Sequence, residues 1–235
     1  KITKDYLLEK KFCNEDQIEF IFGCVVPQHS LKKKLSAKSY YSQDKNTLDI
    51  CFCAAKYMPK GIDKGYDVFI NLAHALISKY DFIKFHVIGG FSENDIDITA
   101  IAQNITFYGY QDFENLQSLF QKMDILISPN KPFLLRNGAF DGFPLGTVVE
   151  AALNGVMVML TDELKQNTTF VDQQEVIILE NNSEFIEEAI IALISKPKRI
   201  AEIAINGKLK FQEVYSNKVQ MNSRTDILKK YIGNS

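Results

Sequence analysis

The chain has 235 residues, of which 46% are hydrophobic and 24% are charged, and its formal net charge at pH 7 is −2. These proportions are typical of a soluble globular protein. The small net charge argues against nucleic acid or an anionic membrane surface as the main partner. No apolar run in the sequence approaches the length of a membrane span.

The four cysteines follow neither a zinc-binding nor a redox spacing. They are Cys13, Cys24, Cys51 and Cys53. Because Cys51 and Cys53 lie in the apolar run LDICFCAA, we expect buried, reduced thiols in a cytosolic protein.

The first 46 residues show no regular alternation of elements. Residues 4–11 predict the end of a helix, and residues 14–27 predict a turn followed by a short strand. The segment 31–46 is polar and carries a group of lysines: Lys32, Lys33, Lys34 and Lys38. We predict a solvent-exposed loop here. The alternative is a docking patch for another domain or for a membrane surface.

From residue 48 to residue 194, short apolar runs alternate with segments of helical periodicity. The predicted strands are 48–54, 82–90, 104–110, 124–128, 156–160 and 175–180. The predicted helices are 66–80, 112–123 with Asp112 as its N-cap, a short helix from Gly146, one from Ser183 to before Pro197, and two more at 198–214 and 217–231. The pattern predicts an α/β fold, a Rossmann-like parallel sheet sandwiched by helices, with a C-terminal helix.

Ligands of such sheets bind beyond the carboxyl ends of the strands. Two lysines fall in the loop at one of these ends, because Lys56 follows a predicted strand and Lys64-Gly65 opens a helix. They could reach a diphosphate, or they could simply be exposed loop lysines. Gly89-Gly90 ends the next predicted strand, which indicates either a close approach of the backbone to a ligand or a tight turn.

The most informative stretch runs from Asp141 to Asp162, DGFPLGTVVEAALNGVMVMLTD. It predicts a loop, a short helix ending at Asn154-Gly155, and a buried strand. The free N–H groups at the helix start favour an anion such as a phosphate. Asp141 and Glu150 are carboxylates in an apolar context, and they could accept hydrogen bonds from sugar hydroxyls. The alternative for Glu150 is a helix carboxylate paired with a lysine.

Other common catalytic motifs are missing from the sequence. It contains no G-x-G-x-x-G, no G-x-x-x-x-G-K-[ST] and no G-x-S-x-G, which argues against a dinucleotide enzyme, a P-loop enzyme and a serine hydrolase. The histidines, His29, His74 and His86, form no visible metal pair, so we expect structural roles for them. Arg136 could stabilise a ligand charge or remain exposed to solvent.

Together these residues resemble the retaining GT-B glycosyltransferases of family four, also called group 1. DGFPLGTVVEAALNGVMVMLTD is similar to the family signature, an acidic residue, Gly-Phe-Gly-Leu, Glu-Ala, a glycine and an apolar strand. Lys56 and Lys64-Gly65 stand where the family has an Arg and a Lys-Gly, and FHVIGG and ITFYGYQDFENLQSLFQKMDILISPN match further family segments. The similarity covers about residues 5–231.

The resemblance implies roles for the charged residues. Lys56 and Lys64 would bind the diphosphate of a nucleotide sugar and stabilise the departing nucleotide. Asp141, in place of the first family glutamate, would contact the donor sugar, and Glu150 would hold the nucleotide ribose. The resemblance implies that neither a metal ion nor a cofactor takes part.

The resemblance also implies roles for the backbone. The amides near Leu145, Gly146 and Thr147 would face sugar and phosphate. Gly109 would lie near the base, and Gly89 would allow close approach to the donor.

The chain departs from the family pattern at several positions. Asp141 replaces a glutamate and lies one residue further from Glu150 than is usual, Pro144 replaces a glycine, and Asn130 replaces a serine.

The resemblance also predicts the domain organisation. We expect an interdomain-linker-like segment and the start of the domain at 1–46, a nucleotide-sugar-binding domain at 47–216 and a C-terminal crossing helix at 217–235. This would be the donor half of a longer or split enzyme whose acceptor-binding N-terminal domain is missing. Alone it would be poorly active.

The implied function is transfer of a hexose, with retention, to a glycan or lipid-linked acceptor in bacterial surface polysaccharide synthesis. We expect a cytoplasmic location, with peripheral membrane association through the missing half. The alternatives are a non-catalytic GT-B-like subunit that binds a partner, and a sugar-nucleotide epimerase-like domain.

Overall fold

The structure is a computed structural model that describes residues 2–23, 25–27, 31 and 38–232. The chain divides into two compact units, Lys33–Phe211 and a smaller unit made of Lys1–Lys32 with Gln212–Ser235. The domain boundaries expected at residues 46 and 216 stay predictions.

The larger unit contains a six-stranded parallel sheet in the order β3-β2-β1-β4-β5-β6. The strands are β1 (Leu48–Cys53), β2 (Ile83–Ile88), β3 (Ile105–Phe107), β4 (Ile125–Ser128), β5 (Met157–Thr161) and β6 (Ile177–Leu179). All six strands predicted between residues 48 and 180 form. The chain adds β2 and β3 on one side of β1 and then β4, β5 and β6 on its other side. A crevice is therefore expected between the carboxyl ends of β1 and β4, where the strand order reverses.

Helices alternate with the strands in the larger unit, and further helices form in the smaller unit. They are α1 (Ile2–Glu9), α2 (Tyr66–Ile77), α3 (Phe113–Phe120), α4 (Gly146–Leu153), α5 (Ser183–Ser195), α6 (Lys198–Val214) and α7 (Asn217–Ile232). Short 3-10 turns occupy Glu15–Gln17, Pro59–Lys64 and Thr99–Ile101. The α/β fold predicted from the alternating pattern is confirmed.

Local signals place two of the helix ends where the sequence predicts them. The Asp112 carboxylate accepts a hydrogen bond from the Asn115 amide at 2.8 Å, which confirms the predicted N-cap of α3. α4 ends at Leu153 with Asn154 as its C-cap, and Gly155 follows with a φ of 74°, the left-handed conformation that glycine adopts at low cost. Cys51 and Cys53 are buried free thiols, as expected.

Two predictions for the first 46 residues are wrong. No strand forms among the described residues of 14–27, because a strand needs a hydrogen-bonded neighbour and none runs beside this segment. Lys38 is not exposed. Only 8% of its surface is accessible, and its amine donates to the Phe120 carbonyl at 2.6 Å, at the carboxyl end of α3 where such a donor is favourable. Lys32, Lys33, Lys34, Cys24 and His29 lie outside the described residues.

In the smaller unit, Gln220 of α7 is the main buried polar side chain. It is 1% exposed, and its amide donates to the carbonyls of Phe22 (3.1 Å) and Val214 (2.8 Å). Nearer the end of α7, Lys230 contacts Glu19 at 2.5 Å. Across both units, none of the described helices combines the length and the apolar character that crossing a bilayer requires.

Candidate functional site

The loop that follows β1 carries both predicted lysines. Lys56 forms an ion pair with Asp95, whose carboxylate also accepts a hydrogen bond from the Ser92 amide at 2.9 Å. Burial raises the pKa of Asp95, but the hydrogen bonds from Lys56 and Ser92 outweigh it and leave the pKa below its usual value. A carboxylate therefore holds Lys56 beyond the carboxyl end of β1, and about a quarter of the Lys56 side chain is accessible.

Lys64 is buried, with 4% of its surface accessible, and it lies among anionic and aromatic groups. Its Nζ is 2.6 Å from Asp141 Oδ2, 3.9 Å from Asp63 Oδ2 and 4.9 Å from the centroid of the Tyr57 ring. Burial raises the pKa of Asp63, and its Oδ1 has no hydrogen-bond partner among the described residues. The structure thus brings together two predicted residues, Lys64 and Asp141, that are 77 positions apart.

Gly65 places Lys64 next to the chain that leaves β4. Its φ is 71°, and a Cβ at this position would lie 2.0 Å from the carbonyl oxygen of Pro129. Only glycine permits both this conformation and this approach. Packing therefore explains the glycine of the Lys-Gly pair, because Gly65 lets the chain after the Pro59–Lys64 turn pack directly against Pro129 at the end of β4.

A second contact fixes the Asp141 carboxylate. Its Oδ2 accepts a hydrogen bond from Asn130 Nδ2 at 2.7 Å, in addition to the contact with Lys64. Asn130 is itself held, because Ser128 Oγ donates to its Oδ1 at 3.0 Å and Thr161 Oγ1 donates to its carbonyl at 2.7 Å. Two adjacent strands, β4 and β5, thereby position a carboxylate that belongs to a loop.

The amino end of α4 opens directly after this loop. Leu145 is the N-cap residue without a side-chain cap, and the first helical hydrogen bond runs from the Val149 amide to the Leu145 carbonyl. The amides of Gly146 and Thr147 have no intrahelical partner. The Thr147 Oγ1 atom is buried and has no hydrogen-bond partner among the described residues. Together these donors form a site suited to an anionic or hydroxyl-bearing group.

Glu150 lies further along α4. It is half-buried between Val149 and Ala151, both of which are buried. Its backbone carbonyl accepts hydrogen bonds from the Asn154 side chain (2.9 Å) and amide (3.2 Å), which close the helix. Its predicted role at a ribose stays a prediction.

The two predicted backbone glycines differ in their surroundings. Gly89 has a φ of 123°, and a Cβ there would lie 1.9 Å from the Ala54 carbonyl, so the close approach it permits is to the chain that leaves β1. Gly109 has a φ of 67° and open space around it, and its carbonyl accepts a hydrogen bond from the Gly89 amide at 2.9 Å. Gly89 thus has a structural role, whereas Gly109 borders open space.

Two clefts flank these residues. One, of about 630 Å³, is lined by Lys56, Tyr57, Met58, Pro59, Lys60, Gly90, Asn94, Asp95 and Tyr110. The other, of about 90 Å³, is lined by Tyr57, Asp63, Lys64, Lys131, Leu135, Ala139, Phe140 and Asp141. Tyr57 lines both clefts, so the surroundings of Lys56 and Lys64 meet at this exposed ring.

Sequence analysis missed several side-chain contacts that shape this region. Asp95 and Tyr57 contact the two lysines, and Asn130 contacts Asp141, but their types and spacing give no local signal of these partners. Their positions after strands were the available signal, because all of them lie in loops beyond the carboxyl ends of β1, β2 and β4. Arg136 is exposed in the loop before Asp141.

Comparison of this chain with known proteins identifies related sequences and folds. Residues 49–196 match the family model described as Glycosyl transferases group 1. A search of curated proteins found no match. Among solved structures, the chain resembles the C-terminal domain of the group 1 glycosyl transferase LpcC from Francisella tularensis (23% identity, TM-score 0.58, covering 72% of this chain and 86% of that one).

Larger enzymes share the same fold. A glycosyltransferase from Rickettsia africae has 17% identity and a TM-score of 0.75, and the alignment covers 99% of this chain and 62% of that one. Anabaena Alr3699/HepE, in a complex with UDP and glucose, has 16% identity and a TM-score of 0.59, with 79% and 48% of the two chains covered. The chain thus spans 62% and 48% of these two proteins.

The family match covers well over half of the chain, and the fold is that of a C-terminal GT-B domain. The chain belongs to the group 1 glycosyl transferases.

Proposed function

We propose that this chain is the donor-binding C-terminal domain of a retaining glycosyltransferase, and that it binds a nucleoside-diphosphate sugar at the carboxyl ends of β1 and β4. The observation that carries the proposal is the partly buried contact between the Lys64 ammonium and the Asp141 carboxylate beside the amino end of α4, because it places a cation next to a group that can bind sugar hydroxyls. The UDP and glucose in the Anabaena HepE complex support a nucleotide sugar as the ligand class.

In this proposal the positive groups stabilise the negative charge that develops on the leaving diphosphate. As the bond between the sugar C1 and the phosphate oxygen breaks, the oxygen keeps the bonding electrons. Lys56, Lys64 and the open amides of Gly146 and Thr147 stabilise that charge. The acceptor hydroxyl forms the new bond to C1 on the same face, and its proton passes to the departing phosphate. Asp141 orients the sugar, and Glu150 holds the ribose.

The sugar, the acceptor, the second domain and the location in the cell are proposed as the sequence predicts them. The transferred sugar is a hexose, and the acceptor is a glycan or a lipid-linked sugar in bacterial surface polysaccharide synthesis. An N-terminal domain binds the acceptor, the protein works in the cytoplasm or at the inner face of the membrane, and the two lysines make a metal ion unnecessary.

Calorimetric titration of this chain with UDP, GDP and dTDP tests the donor site. We expect saturable binding of one of the three. Lys64→Met should weaken it by about 10- to 100-fold, since a hydrogen bond to a charged group contributes about 1.5–3 kcal/mol. Glu150→Ala should weaken it as well if Glu150 holds the ribose. EDTA should leave the binding unchanged.

Lys79→Met is the matched control, because Lys79, an exposed residue just after α2, pairs with Glu187 of α5 and with none of the proposed site residues. It should bind the nucleotide like the unmodified chain. Absence of binding to all three nucleotides, repeated on a protein that carries the acceptor domain, would favour a non-catalytic, partner-binding module instead.

A further inference from the structure

Asn130 is held more rigidly than a loop residue usually is. It follows β4 by two positions, and its side-chain oxygen accepts a hydrogen bond from Ser128 Oγ at 3.0 Å. Its backbone carbonyl accepts one from Thr161 Oγ1 at 2.7 Å. Ser128 and Thr161 are both buried in strands, so the residue is tied to the central sheet.

These contacts also determine which way the Asn130 amide points. Because a serine hydroxyl donates to Oδ1, the NH₂ group is directed to the other side, where Asp141 Oδ2 accepts its hydrogen bond at 2.7 Å. Asp141 is less constrained. It lies in a loop before Gly142, and 36% of its side chain is accessible.

The Asp141 oxygen that contacts Asn130 is the same one that contacts Lys64, at 2.6 Å. Under the proposed function, a diphosphate attracts the Lys64 ammonium. Asp141 would then lose part of its ion pair at the moment when new negative charge arrives beside it. Repulsion would move the carboxylate away from the sugar unless another donor retained it.

We propose that Asn130 is a positioning residue for the donor sugar, which keeps the Asp141 carboxylate in place when the diphosphate engages Lys64. This inference rests on the proposed function. Asn130 acts through Asp141, so its effect falls on the sugar and not on the nucleotide.

The test compares a nucleotide with its sugar conjugate. Calorimetry on the chain uses UDP with UDP-glucose, GDP with GDP-mannose and dTDP with dTDP-glucose, and continues with the pair that binds most tightly. The variants are Asn130→Ala and the near-isosteric Asn130→Leu. The matched control is Gln166→Ala, because Gln166 donates to the backbone carbonyl of Asp141 at 3.2 Å and not to its carboxylate.

We expect the affinity for the nucleotide alone to change by less than about twofold in both Asn130 variants. The affinity for the sugar nucleotide should fall by about 5- to 20-fold, because a charge-assisted hydrogen bond that fixes the sugar-binding group is lost. Gln166→Ala should leave the ratio of the two affinities near that of the unmodified chain.

A double-mutant cycle shows whether Asn130 acts through Asp141. In an Asp141→Ala background, replacing Asn130 should no longer change the ratio. An unchanged ratio in the single Asn130 variants, or an equal change in both backgrounds, would overturn the inference while leaving the donor site established. Failure of every nucleotide to bind the unmodified chain, and then a protein that also carries the acceptor domain, would overturn the proposed function itself, and the inference with it.

Discussion

At the two ends of the parallel sheet, different kinds of partner hold a carboxylate in place. At the amino ends of the strands, Asp124 is fully buried and accepts hydrogen bonds from the backbone amides of Tyr41 (3.0 Å) and Asp49 (2.8 Å) as well as an ion pair from Lys45 (2.9 Å). At the carboxyl ends, the Asp141 carboxylate accepts from two side chains, those of Lys64 and Asn130.

The difference shows that the contacts of Asp124 are structural, whereas those of Asp141 can be exchanged for a ligand. Backbone amides cannot leave Asp124 without local unfolding, so its contacts stabilise the fold and are closed to a ligand. Side chains can rotate, so a diphosphate or a sugar can replace them at Asp141. Asp63 Oδ1 and Thr147 Oγ1, which find no hydrogen-bond partner in the described part of the chain, also lie at the carboxyl end.

The largest expected effect comes from Asp124→Ala, which should lower the free energy of unfolding by about 3–5 kcal/mol. The substitution leaves the Tyr41 and Asp49 amides without their acceptor and removes one of the two carboxylates that pair with Lys45. Asp141→Ala should lower it by about 1 kcal/mol or less, because Asp141 is over a third exposed and solvent screens its charge. Urea denaturation followed by circular dichroism measures both values.

Nucleotide binding should show the reverse order for these two variants. Asp141→Ala should remain folded and lose affinity for the sugar nucleotide, whereas Asp124→Ala, wherever it is folded, should retain it. Equal losses of stability in the two variants would remove the distinction between the two ends of the sheet.

The second effect concerns Gly65, the glycine that packs against Pro129 and so keeps Lys64 near the end of β4. Gly65→Ala should cost about 2–4 kcal/mol of stability, because a left-handed non-glycine residue costs about 1–2 kcal/mol and its Cβ would overlap the Pro129 carbonyl. It should also weaken nucleotide binding, since it displaces Lys64.

Gly109→Ala provides the matched comparison in the same denaturation experiment. Gly109 has nearly the same φ, 67° against 71°, but a Cβ there meets no atom within 4 Å. It should therefore show the conformational cost alone, about 1–2 kcal/mol. If the two variants lost the same stability, the close approach of Gly65 to Pro129 would carry no energetic weight.

The third effect is a pH dependence from Lys38 at the amino end of the sheet. Burial lowers the pKa of Lys38 to about 7, although Asp124 and Cys51 act in the opposite direction, and Lys45 and Lys208 lower it further. Between about pH 7 and 10.5 the unfolded chain therefore binds a proton that the folded chain does not. Stability should rise with pH across this window, by at most about 1.4 kcal/mol per unit.

Lys38→Met isolates this contribution, because it keeps an unbranched apolar side chain and removes the amine. The difference in unfolding free energy between Lys38→Met and the unmodified chain should be largest near pH 7 and should shrink by about 1–2 kcal/mol by pH 8.5. A difference that stays constant between pH 7 and 8.5 would show that Lys38 does not titrate in this range.

The same comparison shows what the sequence could predict. Strands and helices were predictable because periodicity and capping are local, as with the α2 face of Phe69, Leu72 and Leu76, all fully buried. Lys56, Lys64 and Asp141 were found by their positions after predicted strands and before helices. The burial of Lys38 was not predictable, since its partner Phe120 is 82 positions away and polar neighbours surround it in the sequence.

The smallest expected effect, that of Asp95→Asn, tests whether Lys56 binds the diphosphate. Asp95→Asn removes the negative charge that pairs with Lys56 and preserves the side-chain shape. If Lys56 binds the diphosphate, the carboxylate competes with the ligand, and its removal should tighten nucleotide binding by about two- to fivefold. The gain is small because about a quarter of the Lys56 side chain is exposed and solvent screens the pair.

Salt and a neighbouring carboxylate provide the controls for Asp95→Asn. The gain should shrink as the salt concentration rises, since screening weakens the interaction between partly exposed charges. Asp97→Asn should leave the affinity unchanged, because Asp97 contacts Thr99 and His74 and not Lys56. Weaker binding in Asp95→Asn would mean that Asp95 orients Lys56 for the ligand, and the ion pair would then belong with the positioning contact of Asn130.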